Sequence, residues 1–289
     1  MNYYFEDFTE TNYKKILERL LYKGYRFSEF DYETINSDER IALWRHDVDF
    51  SLNRAYSLSE IESELGTKAT YFIHLQSSFY NVFEPSQYEL ICRIIEKGHM
   101  IGLHFDHGFY AQNKHLTSDE EIEKFALIEK DILEKYFNIE INIVSFHNPE
   151  ASNALCLQQD YYGGMLNVYS KTISDNCKYC SDSNGYWRYD RLQDVIEKNY
   201  KRLHILTHPT WWVPNEMSPY DRIKRCIDGR RNAILESYCD MLTQFGRENI
   251  GGGKNGYSET EDMFITITFT WIYRKDENPC SIILYSSLL

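Results

Sequence analysis

The chain has 289 residues, a hydrophobic fraction of 43% and a formal net charge of −13, enough for one large core or two domains and too acidic for a general nucleic-acid binder. No apolar run reaches the roughly eighteen residues of a membrane helix, so no membrane insertion is expected. The start, Met1-Asn2-Tyr3-Tyr4-Phe5, is not that of a secretory signal, and the seven scattered cysteines do not suggest a disulfide framework, so a cytoplasmic protein is expected.

In chain order, residues 8–23 place Tyr13, Ile16, Leu17, Leu20 and Leu21 at helical spacing, and Gly24 ends that helix. The apolar run Ile41-Ala42-Leu43-Trp44 predicts a buried strand. Helix 51–65 stops at Gly66, and residues 69–73 form a second strand. Helix 87–97 stops at Gly98, and 100–103 is the next strand. A long helix covers 118–137, with a cap at Thr117 or Ser118, and a strand follows at 141–146. Residues 165–169 are a further strand candidate. Helix 192–198 precedes a strand at 203–207. The alternation predicts a parallel sheet covered by helices. Beyond it, 222–245 could be one long helix and 251–256 is a glycine-rich break. Residues 263–273 alternate apolar residues with Thr and could pair with 281–285 as a hairpin. Two domains are therefore expected, 1–250 and a C-terminal extension, 251–289.

The polar residues gather at the C-terminal ends of these strands. Trp44 runs into Arg45-His46-Asp47-Val48-Asp49. Residues 100–103 run into His104, Asp106 and His107. His147 and Asn148 follow 141–146, while His208, Pro209, Trp211 and Trp212 follow 203–207. In a closed parallel barrel such ends meet at one rim, where active sites lie. In an extended chain Asp47 and Asp49 share a side and Val48 takes the other. His and Asp without nearby Cys suit a divalent ion, with Zn²⁺ first and Co, Ni, Mn or Fe as alternatives. A carboxylate left unligated could take a proton from water and a His could protonate a leaving group, which is the equipment of a metal-assisted hydrolase.

The ordered set RHDVD, a strand ending in YF, GHMIGLHFD, SFHNP and LTHP resembles the polysaccharide deacetylase superfamily with its NodB-type domain. It is most similar to the divergent subgroup of capsule and O-antigen gene clusters, over roughly residues 40–215. The resemblance implies a distorted (β/α) barrel, often seven-stranded. It also implies metal-dependent removal of an acyl group from an N-acylated sugar, sugar nucleotide or oligosaccharide in surface polysaccharide biosynthesis. On this resemblance Asp47 is the catalytic base, Asp49 and His104 are metal ligands and His208 is the general acid. His147 stands where the family usually has an arginine supporting the base. The family's second metal histidine falls on Gly108, leaving His147, His107 or Asp106 to supply the third ligand, with His147 preferred because it ends its own strand. Trp211 and Trp212 would wall the substrate. Trp187 lies in a segment, Asp182 to Arg188, that resembles a D-S-x-G-x-W-R loop of the same subgroup.

Arg45, His46, Asp106, His107, Trp187, Trp211 and Trp212 make up the expected substrate-contacting set. Arg45 could instead only neutralise the acids, and His46 could cap its strand. His74 and His99 are expected to be structural. Cys177 and Cys180 have zinc-knuckle spacing but no partner pair. A non-catalytic glycan-binding protein and a hydrolase of another C–N amide are the competing readings.

Overall fold

The computed structural model describes residues 3–113, 118–149, 159–187 and 189–251. By its internal contacts the chain divides into two units, Met1–Arg230 and Arg231–Leu289. The expected hairpin of 263–285 lies outside the described residues.

After a 3-10 turn at Phe5–Phe8 comes helix α1, Glu10–Tyr22, whose Thr9 side chain accepts a hydrogen bond from the Asn12 amide and caps it. Its buried stripe is Tyr13, Ile16, Leu17 and Leu20. Two short elements that the sequence pattern does not announce follow, strand β1, Arg26–Ser28, and helix α2, Tyr32–Asn36. Strand β2, Ile41–Val48, is buried along its whole length. It is twice as long as the predicted strand, so Arg45, His46 and Asp47 lie within it rather than beyond it.

Helix α3, Leu52–Glu64, is capped by Ser51 and ends before Gly66, whose φ of 68° only glycine adopts freely. Strand β3, Thr70–Ile73, helix α4, Pro85–Glu96, and strand β4, Met100–Phe105, come next. Helix α5, His107–Asn113, precedes helix α6, Asp119–Phe137, which ends on a left-handed Asn138. After strand β5, Ile143–Phe146, come strands β6, Tyr161–Tyr162, and β7, Met165–Asn167. Helix α7, Lys171–Asn176, strand β8, Lys178–Ser181, helix α8, Leu192–Glu197, and strand β9, Arg202–Thr207, complete the sheet region. Helix α9, Pro219–Gln244, is the long C-terminal helix.

Seven strands form one parallel path in the order β7-β5-β4-β3-β2-β9-β8, with β6 antiparallel at one edge and β1 beside the first half of β2. This is the distorted (β/α) barrel of the sequence expectation. Among the described residues no ladder joins β6 or β7 to β8. The sheet is nevertheless curled: the Arg45 guanidinium on β2 donates to the Tyr169 hydroxyl, two residues past β7, at 2.7 Å.

Strand alternation splits the core in two. Ile41, Leu43, Phe72, Ile143, Leu166 and Val168 pack together inside the curl. Ala42, Trp44, Val48, Tyr71, Leu103 and Val144 face the helices on the outside. The interior admits no extra bulk at Gly102, where a Cβ would lie 2.5 Å from Phe72 and 2.9 Å from Ile143. Cys177 belongs to the inner cluster and Cys180 to the outer, so the CxxC pair does not pinch a metal. Burial pushes the two thiols up to about 11 and about 12.

Candidate metal centre

Four adjacent strands deliver one donor each to the C-terminal rim. Asp49 follows β2, His74 follows β3, His104 lies near the end of β4 and His147 follows β5. Each sits on the inward parity of its strand, two residues beyond Asp47, Phe72, Gly102 and Ser145 respectively.

Three donor atoms face one another. His104 Nε2 is 3.0 Å from Asp49 Oδ1, His147 Nδ1 is 3.4 Å from the same oxygen, and the two imidazole nitrogens are 3.3 Å apart. The edges of a tetrahedron around a zinc-like ion with bonds near 2.0–2.1 Å are about 3.3 Å, so the spacing fits a divalent cation. Two further observations agree. Asp49 Oδ1 is buried yet takes no hydrogen bond. His104 presents Nδ1 to the Ser145 hydroxyl at 2.7 Å, and Ser145 in turn donates to Asp47 Oδ1 at 3.1 Å. With its proton on Nδ1, His104 aims a bare Nε2 lone pair at the cluster, the arrangement a metal-binding histidine needs.

Asp47 lies behind this cluster, 2% exposed. Its Oδ2 is 3.2 Å from Arg45 Nη2, an ion pair with both side chains buried. Arg45 is held between the rings of Phe72 and Tyr169, its guanidinium carbon 5.7 and 4.6 Å from their centroids. His147 stands where the resemblance puts an arginine, and the arginine that meets Asp47 is Arg45 of β2 itself.

His208 closes the other side, with Nε2 3.7 Å from Asp49 Oδ2. Its Nδ1 hydrogen-bonds Asp182 Oδ1 at 2.7 Å. Asp182 is fully buried and also accepts from the His208 backbone amide at 2.9 Å and from Trp212 Nε1 at 2.8 Å. Burial pushes His208 down, but the Asp182 carboxylate outweighs it and raises the imidazole to about 9.

Some expected site residues go elsewhere. His46 is corrected to a residue of the opposite sheet face. It is fully buried, 2.7 Å from Glu62 of α3 and stacked on Tyr71. The alternation that aims Arg45 and Asp47 inward aims His46 outward. Trp187 and Trp212 are corrected to packing residues around Phe8, with their indole N–H groups satisfied by Asp7 and Asp182. Trp211 is buried and packs on Phe50, next to Asp49. Asp106 accepts from the Phe109 amide at 2.8 Å, capping the first turn of α5, and its Oδ2 lies 3.8 Å from His74 Nε2. His107 is the buried first residue of α5 and is not part of the donor group, which among the described residues comprises Asp49, His74 and His147, with His104 beside Asp49.

Sequence reasoning missed Asp182, Ser145, Tyr169 and His74. Ser145 and His74 carry a signal, since each shares the inward parity of a neighbour on its strand. Asp182 begins the segment singled out by its resemblance, but its role, like that of Tyr169, depends on which strands lie side by side.

No family model matches the chain and no curated protein matches it in sequence. Solved structures do match. A family 4 carbohydrate esterase from Bacillus anthracis is 13% identical, covers 75% of this chain and 85% of its own, and has a TM-score of 0.38. The Streptococcus pyogenes deacetylase PplD in complex with acetate is 14% identical over 73% of this chain and 84% of its own, with a TM-score of 0.38. The chitin deacetylase of the fungal pathogen Colletotrichum lindemuthianum is 13% identical over 67% and 84%, with a TM-score of 0.40. The likeness is distant, and what the centre can do follows from its own side chains.

Proposed function

We propose that the chain is a divergent member of the polysaccharide deacetylase superfamily. In this reading it is a metal-dependent hydrolase that removes an acyl group from an N-acylated sugar or glycan precursor in surface polysaccharide biosynthesis. The observation that carries the chemistry is the triangle of Asp49 Oδ1, His104 Nε2 and His147 Nδ1 at 3.0–3.4 Å, flanked by a carboxylate and a charged imidazole. The sugar class follows from the sequence resemblance.

Asp49, His104 and His147 would hold a divalent cation, with zinc first and Co, Ni, Mn or Fe as alternatives. Such an ion supplies Lewis acidity, polarising an acyl carbonyl and easing loss of a proton from water. Asp47 takes that proton. Arg45 and Ser145 hold its carboxylate in one orientation. His208 serves as the acid: Asp182 fixes its Nδ1, so the proton on Nε2 is the one offered to the departing nitrogen. Base and acid thus approach the centre from β2 and β9, which are neighbours in the sheet.

The test is release of acetate or formate from a panel of N-acylated sugars, sugar nucleotides and oligosaccharides. Release is expected to require a divalent ion and to fall by roughly 10²–10⁴-fold in Asp47→Asn. Metal-loaded protein that releases no acid from any member of the panel would falsify the reading.

A further inference from the structure

Four consecutive strands of the sheet, β2, β3, β4 and β5, each carry a donor at the same rim, yet the reading above uses only three. The fourth is His74. Its side chain is 6% exposed and its Nε2 is buried without a hydrogen bond, with Asp106 Oδ2 at 3.8 Å. A buried polar atom left unpaired is costly and is commonly explained by an ion or water. One ring nitrogen of His74 lies within 4.8 Å of donor atoms of both Asp49 and His147. Its ring packs 4.5 Å from that of His147 and 5.5 Å from that of His104.

We propose that His74 is a fourth metal-binding side chain, so that the centre is held by one carboxylate and three imidazoles. This rests on the metal-dependent reading above and deepens it. It also answers the gap at Gly108, just past β4 in α5: the missing histidine is replaced from the strands beside β4, by His147 on one side and His74 on the other.

The backbone is built for this role. The Tyr80 hydroxyl accepts from the His74 amide at 2.9 Å and donates to the Val48 carbonyl at 2.7 Å. One phenol thus ties the end of β3 to the residue before Asp49 and sets two donors relative to each other. Other buried histidines of the sheet lack such a setting. His99 has both ring nitrogens placed, against the Ala69 amide and the Ser59 carbonyl. His204 also has an unpaired Nε2, but it sits between the rings of Phe30 and Tyr179, and no ion pair joins it to a carboxylate among the described residues.

A four-donor protein set closes a tetrahedral ion and leaves open positions only on an ion that takes five or six ligands. The centre is therefore suited to Mn, Fe, Co or Ni in an active form.

The experiment uses the full chain stripped of metal and titrated with Co²⁺ against a chromophoric chelator, with the visible absorption of bound Co²⁺ recorded. His74→Ala is expected to weaken Co²⁺ binding at least tenfold and to change the absorption. The metal-free melting curve shows whether the variant folds, and His74→Gln, which keeps most of the volume, replaces it if not. Wild-type-like affinity and spectrum in the folded variant overturn the fourth ligand and leave the three-donor hydrolase standing. His74-dependent binding without any acyl release supports the ligand and overturns the hydrolase. Wild-type protein that binds no Co²⁺ overturns both.

Discussion

Glu62 is a buried charge shared by Tyr13, His46 and Tyr71, and its removal tests how β2 is held from behind. The side chain is 1% exposed on α3. Oε1 accepts from the Tyr13 hydroxyl and lies 2.7 Å from His46 Nε2, and Oε2 accepts from the Tyr71 hydroxyl at 2.6 Å. Glu62→Ala strands these three groups. Tyr13 and His46 already lie 3.3 Å apart, so they satisfy one another in part, leaving the equivalent of about two unpaired buried groups. At roughly 1–3 kcal/mol each, the expected loss is about 4 kcal/mol. That compares with a total stability on the order of 5–15 kcal/mol.

The assay is urea unfolding at neutral pH, with a lower midpoint and an unchanged slope. Burial pushes the Glu62 carboxyl up, but His46 and His99 outweigh it and the net shift is downward. A depressed carboxylate contributes stability above its unfolded value and loses it as pH falls through the folded one. The difference between wild type and Glu62→Ala should therefore be full near neutrality and shrink in acid. A loss below about 1 kcal/mol at neutral pH would refute the claim that this network anchors β2, since a single unpaired buried group already costs that much.

Three other outcomes are expected. Asp182→Asn keeps the shape around His208 but removes the charge that holds its proton, so kcat should fall roughly 10²-fold or more with KM little changed. Steady-state kinetics check this, and an unchanged kcat argues against His208 as the acid. Gly102→Ala forces a Cβ into Phe72 and Ile143 and should cost about 1–3 kcal/mol by chemical denaturation. A divalent ion at a hundred times its Kd should stabilise the protein by about 2.7 kcal/mol. That gain, read as a shift in Tm, should disappear in Asp49→Ala.

The local periodicities of the sequence were enough to foresee most of the long helices and strands. Gly24, Gly66 and Gly98 mark helix ends because each sits at positive φ, where other residues are strained. Period two also put Asp47 and Asp49 on one side. Carried one residue further, the same rule places His46 with Val48 on the outer face, and carried along β3 it places His74 with Phe72 on the inner one. Those two residues were legible in principle. Trp187 and Trp212 were not, because an indole beside a proposed site looks the same whether it faces a ligand or takes a buried carboxylate such as Asp7 or Asp182.

What the sequence by itself determined is the inventory of the rim: which strand carries which acid or histidine, and to which face it points. That follows from side-chain alternation, a property of each strand alone. The tertiary structure decided which members of the inventory meet. Asp49, His74, His104 and His147 converge because β2, β3, β4 and β5 are adjacent and in register, and Asp182 reaches His208 because β8 pairs with β9. Strand order and register are set by contacts between residues far apart in the chain, and no local pattern encodes them.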